Sequence, residues 1–158
     1  MIRDLMVHLD PGERTGARLQ LAAAIARTHG ARLVGVFAQR AAAHQVGVVV
    51  KWPSDEYIAA ANASKSAFSA ATAGLAQAEW HDVNRGSDHE LLHHLIEAAR
   101  YADLVVLGQH DDARNAHAPP ELAEELIVNG GRPVLVVPYA GGYAEVGRRP
   151  LIAWNSTR

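Results

Sequence analysis

The sequence predicts an α/β fold, a doubly wound parallel sheet of five strands with helices on both of its faces. Five short apolar segments of strand length occur in order at residues 2–9, 31–38, 80–84, 104–107 and 134–137. Helical patterns separate them, and most of these strands are apolar along nearly their whole length. Strands of that kind are covered on both faces, as in parallel sheets, and strand–helix alternation implies right-handed crossovers. The order of the strands does not follow from this pattern.

Length and composition indicate one globular domain of ordinary size. The chain has 158 residues, 49% of them hydrophobic, a net charge of −2 and no cysteine. The absence of cysteine excludes disulfides and thiolate metal sites, and the near-neutral charge gives no reason to expect nucleic acid or an anionic membrane as a partner. No signal peptide or transmembrane run is apparent. We therefore expect a soluble, cytoplasmic protein.

Turn and capping residues mark the four predicted helices. Asp10-Pro11-Gly12 ends the first strand, Gly30 ends the first helix, and Ser54 and Ser87 or Asp88 are N-cap residues of the second and third. The second helix is predicted to end near Gln77 and the fourth to cover 119–128, beginning at a double proline. The predicted buried positions are Ala17, Leu21, Ala24, Ile25 and Thr28 in the first helix, Ile58, Ala61, Phe68, Ala71, Leu75 and Ala78 in the second, and Leu92, Leu95, Ile96 and Ala99 in the third.

Two segments do not fit the repeating pattern. Residues 39–53 are interpreted as a long connection, although the apolar run 46–50 within it could also form a separate strand. Residues 139–147 are rich in glycine and predict a linker after a domain at 1–138. Residues 148–158 predict the first strand of a second, truncated repeat, because 151–155 (LIAWN) parallels 6–10 (MVHLD). The alternative is a chance apolar strand. If the repeat is real, its strand lacks its native sheet and could pair with a neighbouring chain.

Three segments carry a resemblance to a known family: 103–108 (DLVVLG), 131–138 (GRPVLVVP) and the longer stretch 80–108. With the organisation above, the chain resembles the universal stress protein family, most closely the first domain of bacterial tandem members. The resemblance extends from residue 2 to 138 and into the start of the second repeat. It implies a strand order of 3-2-1-4-5, and a homodimer or pairing with a second repeat.

That strand order places a candidate ligand site where the first and fourth strands lie side by side. Ligands of open α/β sheets bind at such a switch point, outside the carboxyl ends of the strands. Asp10 and Gly108 end these two strands. In ATP-binding family members, the acid after the first strand and the residue ending the second, here Ala38, help to hold the nucleoside. The resemblance therefore implies Asp10, Ala38 and Gly108 as remnants of a nucleotide site.

The phosphate loop of this family departs from its usual pattern. ATP-binding members have Gly-x2-Gly-x9-Gly-[Ser/Thr], whereas this chain retains Gly108 and has Asp111 at the second glycine. Counted back from Arg132-Pro133, Pro120 and Glu121 stand at the last glycine and the hydroxyl residue. Proline removes a backbone N–H donor, and the added carboxylates repel a triphosphate. We predict that ATP is not bound, with a weaker nucleoside-type ligand as the alternative.

Nine histidines raise the question of metal or acid–base chemistry. His89, His93 and Glu97 are spaced as on one helix face, but that face is predicted to be solvated. His110-Asp111-Asp112 and His117 are in the switch-point loop, which has no serine, threonine or cysteine nucleophile. Both groups are interpreted as solvated surface, and His8 as a core or interface residue. Trp52, Trp80 and Trp154 are too scattered to stack nucleic-acid bases.

Together these observations predict a non-enzymatic stress-response domain that acts through dimerisation and protein–protein contacts, with no metal or other cofactor. The alternative is a regulatory domain that binds ATP or another adenine nucleotide with weak or no hydrolysis. An enzyme that uses His110 and Asp111 is a third, more distant hypothesis.

Overall fold

The computed structural model describes residues 1–41, 52–111, 117–143, 146–147 and 149–153 of the chain. Five strands and four helices alternate along these residues. The strands are Asp4–Leu9 (β1), Arg32–Phe37 (β2), Ala78–Asp82 (β3), Leu104–Gly108 (β4) and Val134–Val137 (β5). The helices are Thr15–His29 (α1), Asp55–Ala71 (α2), Asp88–Ala99 (α3) and Leu122–Asn129 (α4).

The five strands form one parallel sheet in the order β3-β2-β1-β4-β5. This order confirms the expected fold class, with β1 in the centre. Leu5 pairs with Leu33 of β2 on one side and with Leu104 of β4 on the other. Since β2 and β4 follow β1 in opposite directions across the sheet, the winding reverses between β1 and β4.

Two hydrophobic cores cover the two faces of the sheet. One joins Leu5, Val7 and Leu9 of β1 to side chains of α1 and α2, such as Leu21 and Phe68. The other joins Met6 of β1 and Val105 of β4 to Leu91 and Leu95 of α3 and to Leu126 of α4. The alternation of β1 side chains between these cores is the period of two expected of a strand buried on both faces.

Capping residues begin and end several helices as the sequence predicts. The Ser54 and Ser87 hydroxyls accept hydrogen bonds from the backbone N–H groups of Tyr57 and Glu90, and Gly30 ends α1 in the left-handed conformation. The predicted end of α2 near Gln77 is wrong, since the helix stops at Ala71 and a turn through Gly74 at φ +84° follows. The predicted start of α4 at Pro119 is also wrong, since the helix begins at Leu122, after the double proline.

Several predicted buried positions are corrected by the structure. In α2, Tyr57 is buried and Ile58 is 45% exposed. In α3, Leu91 is buried and Leu92 only partly so. In α1 the true buried face is rotated and includes Arg18, which the helical pattern had placed on the outside. An alanine-rich helix gives a weak amphipathic signal, so its rotation cannot be read from the apolar positions alone.

The carboxyl-terminal segment leaves its apolar side chains in solvent. Leu151 and Ile152 are 94% and 86% exposed, and residues 151–153 are not in a strand. The linker and the truncated second repeat stay predictions. The run 46–50 falls outside the described residues. In the part of the chain that the structure describes, every helix is too short or too polar to cross a lipid bilayer.

Candidate functional site at the carboxyl ends of β1 and β4

Asp10 is buried directly after β1, at the point where the winding reverses. It is only 4% exposed. Its Oδ1 accepts hydrogen bonds from the backbone N–H of Gly12 at 2.8 Å and from the hydroxyl of Thr15 at 2.5 Å. These two donors belong to the turn into α1, so the carboxylate fixes the connection between strand and helix as an Asx-type turn does.

The second carboxylate oxygen of Asp10 is paired with the guanidinium of Arg18. Arg18 Nη2 lies 2.9 Å from Asp10 Oδ2 and 3.0 Å from Thr15 Oγ1, and its Nε donates to the His8 carbonyl oxygen at 2.7 Å. Arg18 is 3% exposed, so both members of this ion pair are removed from water. The interactions expected of a ligand-holding acid are therefore made by a side chain of the same protein.

Arg18 also lies against Gly108, the glycine that ends β4. A Cβ atom placed on Gly108 would be 2.2 Å from Arg18 Nη1, so only glycine leaves room for the guanidinium. Asp10, Arg18 and Gly108 together line two cavities at this edge of the sheet, of about 50 and 10 Å³. Pockets that enclose a small organic ligand measure about 300 to 1,000 Å³. The space beside the predicted glycine is filled by the arginine.

Ala38 is placed one strand away and is joined to the cluster through His8. The Nε2 atom of His8 lies 3.0 Å from the Ala38 carbonyl oxygen, which can only accept, so Nε2 carries the proton. His8 Nδ1 faces Asp10 Oδ2 at 3.7 Å. Burial lowers the pKa of His8 to about 4, and Arg18 acts in the same direction, against the charge of Asp10 and the bond to Ala38.

The environment keeps Asp10 ionised. Its burial favours the neutral acid, but Arg18, His8 and the hydrogen bonds from Thr15 and Gly12 together outweigh this effect. The pKa of Asp10 therefore lies well below its usual range. A carboxylate that stays charged and an arginine beside it form a neutral pair, so the crevice presents no net positive charge to a phosphate.

Two of the substituted phosphate-loop residues line the same crevice. Asp111 lines the larger cavity and Pro120 the smaller. Glu121 is the N-cap residue of α4, and its side chain makes no capping hydrogen bond. Asp112 lies outside the described residues. Of these carboxylates, that of Asp111 thus lines the crevice itself, and Glu121 stands at the start of α4.

The histidine candidates are separated by the fold. His8 is 2% exposed in the centre of the sheet, which agrees with its interpretation as a core residue. His89, His93 and Glu97 are on the outer side of α3, and no group of three suitable ligands for a metal occurs among the residues that the structure describes. His110 lines the smaller cavity beside Pro119 and Pro120, while the His117 carbonyl oxygen accepts a backbone hydrogen bond from Arg40 at 2.8 Å.

The structure thus brings Asp10 and Gly108 together and leaves Ala38 at the far side of β1. Sequence reasoning missed Arg18 and Thr15, which complete the cluster. A signal was present, since Arg18 follows a strand-ending acid by eight residues and precedes the apolar Leu19 within α1. One helical turn after the βα connection, a long cationic side chain can reach back to the end of the strand.

Comparison of the fold with solved structures finds universal stress proteins. The universal stress protein UspA from Lactobacillus plantarum matches with a TM-score of 0.58 at 19% identity, over 85% of this chain and 97% of that one. A family member from Burkholderia pseudomallei matches with a TM-score of 0.55 at 23% identity, over 85% and 95%. At these identities the likeness establishes the shared fold. No protein-family model and no curated protein sequence matches the chain.

Two of the similar structures contain nucleotides. One is the universal stress protein from Archaeoglobus fulgidus in complex with dAMP, with a TM-score of 0.56 at 19% identity over 85% of this chain and 96% of that one. Another is a universal stress protein in complex with cAMP, with a TM-score of 0.54 at 18% identity over 88% and 98%. Both of these proteins share the fold of this chain and were solved with an adenine nucleotide.

Proposed function

We propose that this chain is a cytoplasmic stress-response domain of the universal stress protein type that acts through dimerisation and protein–protein contacts. In this proposal it catalyses no reaction and holds no ATP in the crevice between β1 and β4. The observation that carries the proposal is the buried Arg18, which pairs with Asp10 and packs on Gly108.

Space and charge both support the proposal. An adenine nucleotide would have to displace Arg18 from a crevice that now offers cavities of only about 50 and 10 Å³. Displacement would leave Asp10 without its partner in a buried position, and breaking one side of a buried ion pair costs about 3 to 5 kcal/mol. The neighbouring Asp111 and Glu121 add repulsion against phosphate.

A second candidate function is that of a nucleotide-binding regulatory domain with weak or no hydrolysis. The structures with cAMP and dAMP favour it, because they share the fold. In this case Arg18 would rotate away and its guanidinium would meet a phosphate. Such a ligand would be anionic and would compete directly with Asp10 for the arginine.

Thermal unfolding in the presence of nucleotides separates the two functions. We expect the midpoint of the wild-type chain to be unchanged by ATP with Mg²⁺, cAMP or dAMP at millimolar concentration. A ligand present at about 100 times its Kd stabilises a protein by about 2.7 kcal/mol, which would raise the midpoint by several degrees. The cAMP-binding universal stress protein serves as the positive control. A saturable shift with a micromolar Kd for this chain would overturn the proposal.

A further inference from the structure

A further cavity lies beside α3, on the face of the sheet that α3 and α4 pack against. It measures about 390 Å³, within the range of about 300 to 1,000 Å³ that small-molecule sites occupy. Its lining comes from β1, β2 and β3 and from the end of α3, and none of these residues belongs to the Asp10–Arg18–Gly108 cluster. The cavity exists because α3 covers β1 and leaves part of β2 and β3 uncovered.

The floor of the cavity is apolar and is set by the strand register. Met6 of β1 pairs with Val34 of β2, and both side chains belong to the core on the α3 face. Val36, in the same core, and the partly buried Val83 extend this floor toward the carboxyl ends of β2 and β3. A molecule lying here would bury its own apolar surface on these four side chains.

The wall formed by α3 and the turn after it carries an exposed aromatic ring. Tyr101 is 77% exposed and lines the cavity together with Ala98 and His94. A large aromatic side chain that is left in solvent at the mouth of a cavity offers a ligand a flat contact surface, and a cation above the ring is attracted by its electrons.

The opposite rim is acidic. Arg32 is shared by two carboxylates, with its Nε 2.7 Å from Asp4 Oδ1 and its Nη1 3.2 Å from Glu79 Oε1. One guanidinium therefore faces two carboxylates, whereas the Asp82 carboxylate accepts a hydrogen bond from the Tyr57 hydroxyl of α2, on the other face of the sheet. With neutral histidines, the two carboxylates of Asp4 and Glu79 and the guanidinium of Arg32 leave this rim with a net charge of −1. His81 lies 3.5 Å from Glu79 Oε2 and can compensate part of this when protonated.

From this combination we propose that the cavity between α3 and β3 is a binding site for a small amphipathic organic cation, an aromatic body that carries an amine. The ring lies on Met6, Val34 and Val36 against Tyr101, and the ammonium group faces the carboxylates of Asp4 and Glu79. An anion of the same shape is rejected by the rim. This site is independent of the crevice at Asp10, and it stands whether or not that crevice binds nucleotides.

The test uses three probes with one ring system and three charges: 2-naphthylmethylamine, 2-naphthylmethanol and 2-naphthoate. Binding to the full chain is followed by two-dimensional NMR titration, which gives both affinity and location. We expect saturable binding of the amine, with shifts confined to β2, β3 and the end of α3, and an affinity at least about tenfold higher than that of the naphthoate.

Two variants and a matched control locate the effect. Glu79→Gln removes a half-exposed rim charge and should weaken the amine several-fold while leaving the uncharged alcohol unchanged. Ala98→Phe fills the cavity and should abolish binding of both. Glu97→Gln is the control, because Glu97 is similarly exposed on α3 but lies outside the cavity. Equal affinities for amine and naphthoate, shifts that map to another surface, or the absence of saturable binding would each overturn the proposal.

Discussion

At the scale of single residues, the crevice is controlled by one arginine. Arg18 satisfies the His8 carbonyl, the Thr15 hydroxyl and the Asp10 carboxylate at the same time. A buried ion pair adds little net stability compared with well-packed apolar residues, but loss of one member is costly. The pair therefore fixes the geometry of the crevice more than it stabilises the fold, and it holds Arg18 on Gly108.

The titration of His8 gives a prediction on pH. His8 has a pKa of about 4 in the folded chain, whereas an unfolded histidine takes up its proton near pH 6.5. Stability that depends on neutral His8 is thus fully present above pH 6.5 and is lost as the pH falls toward 4. We expect His8→Gln to remove this loss, so that between pH 6.5 and 5 wild type loses about 2 kcal/mol more than the variant.

Urea unfolding at a series of pH values measures this difference. The absolute stability of His8→Gln is lower at every pH if the bond to the Ala38 carbonyl weakens, so the slopes are compared rather than the values. The remaining histidines and the other carboxylates are common to both chains, and Asp10, whose pKa lies well below its usual range, stays ionised in the wild type over this interval. Parallel pH curves for the two proteins would show that His8 does not titrate in this way.

At the scale of elements, a glycine allows α2 to approach β2. A Cβ atom on Gly35 would lie 2.6 Å from two ring carbons of Phe68 and 3.0 Å from a methyl carbon of Leu9. Phe68 is 3% exposed in the last turns of α2, so its ring packs directly on the strand backbone. The Phe68 ring therefore occupies the space that a side chain at position 35 would need.

We expect Gly35→Ala to destabilise the chain by about 1 to 3 kcal/mol, the usual cost of overpacking a core. Gly16→Ala is the matched control, since no atom lies within 4 Å of its added Cβ and the position is in α1, where alanine is favoured. This control should be neutral or slightly stabilising. Chemical denaturation of wild type, Gly35→Ala and Gly16→Ala measures their free energies of unfolding. Equal stabilities of the two variants would contradict the packing of Phe68 on Gly35.

At the scale of the whole molecule, β5 is an edge strand whose outer backbone groups have no strand beside them in the described sheet. Val136 is 36% exposed on this strand. Edge strands of this kind pair readily with another chain. This arrangement supports the proposed homodimer or the pairing of β5 with a second repeat.

Sedimentation over a range of protein concentrations tests the assembly. We expect wild type to form a dimer and Val136→Lys to shift it toward monomer, because a lysine on an edge strand opposes pairing. Ile58→Lys is the control, being 45% exposed on α2 at the other side of the sheet. A monomeric wild-type chain, or equal dissociation of both variants, would refute an interface at β5.

The sequence by itself determined the fold class and most of the elements. Period and length of the apolar segments predicted five parallel strands, and Ser54, Ser87 and Gly30 marked helix ends, because capping and strand burial are local properties. The predictions for the end of α2 and for the buried face of α1 were wrong. Both helices are rich in alanine, which gives little contrast in hydrophobicity between buried and exposed positions. Asp10 and Gly108 were correctly predicted to lie together, since the resemblance supplied the strand order that makes β1 and β4 neighbours.

Only the tertiary structure decided what fills the space between Asp10 and Gly108. Whether a buried acid meets a ligand or a side chain of its own protein depends on the rotation of α1 on the sheet, which is set by packing at Leu19, Leu21 and Ala22 together. The cavity beside α3 depends likewise on how far one helix extends across three strands. Both are consequences of contacts between elements distant in the chain. The spacing of Asp10 and Arg18 makes their contact possible, but only this packing brings it about.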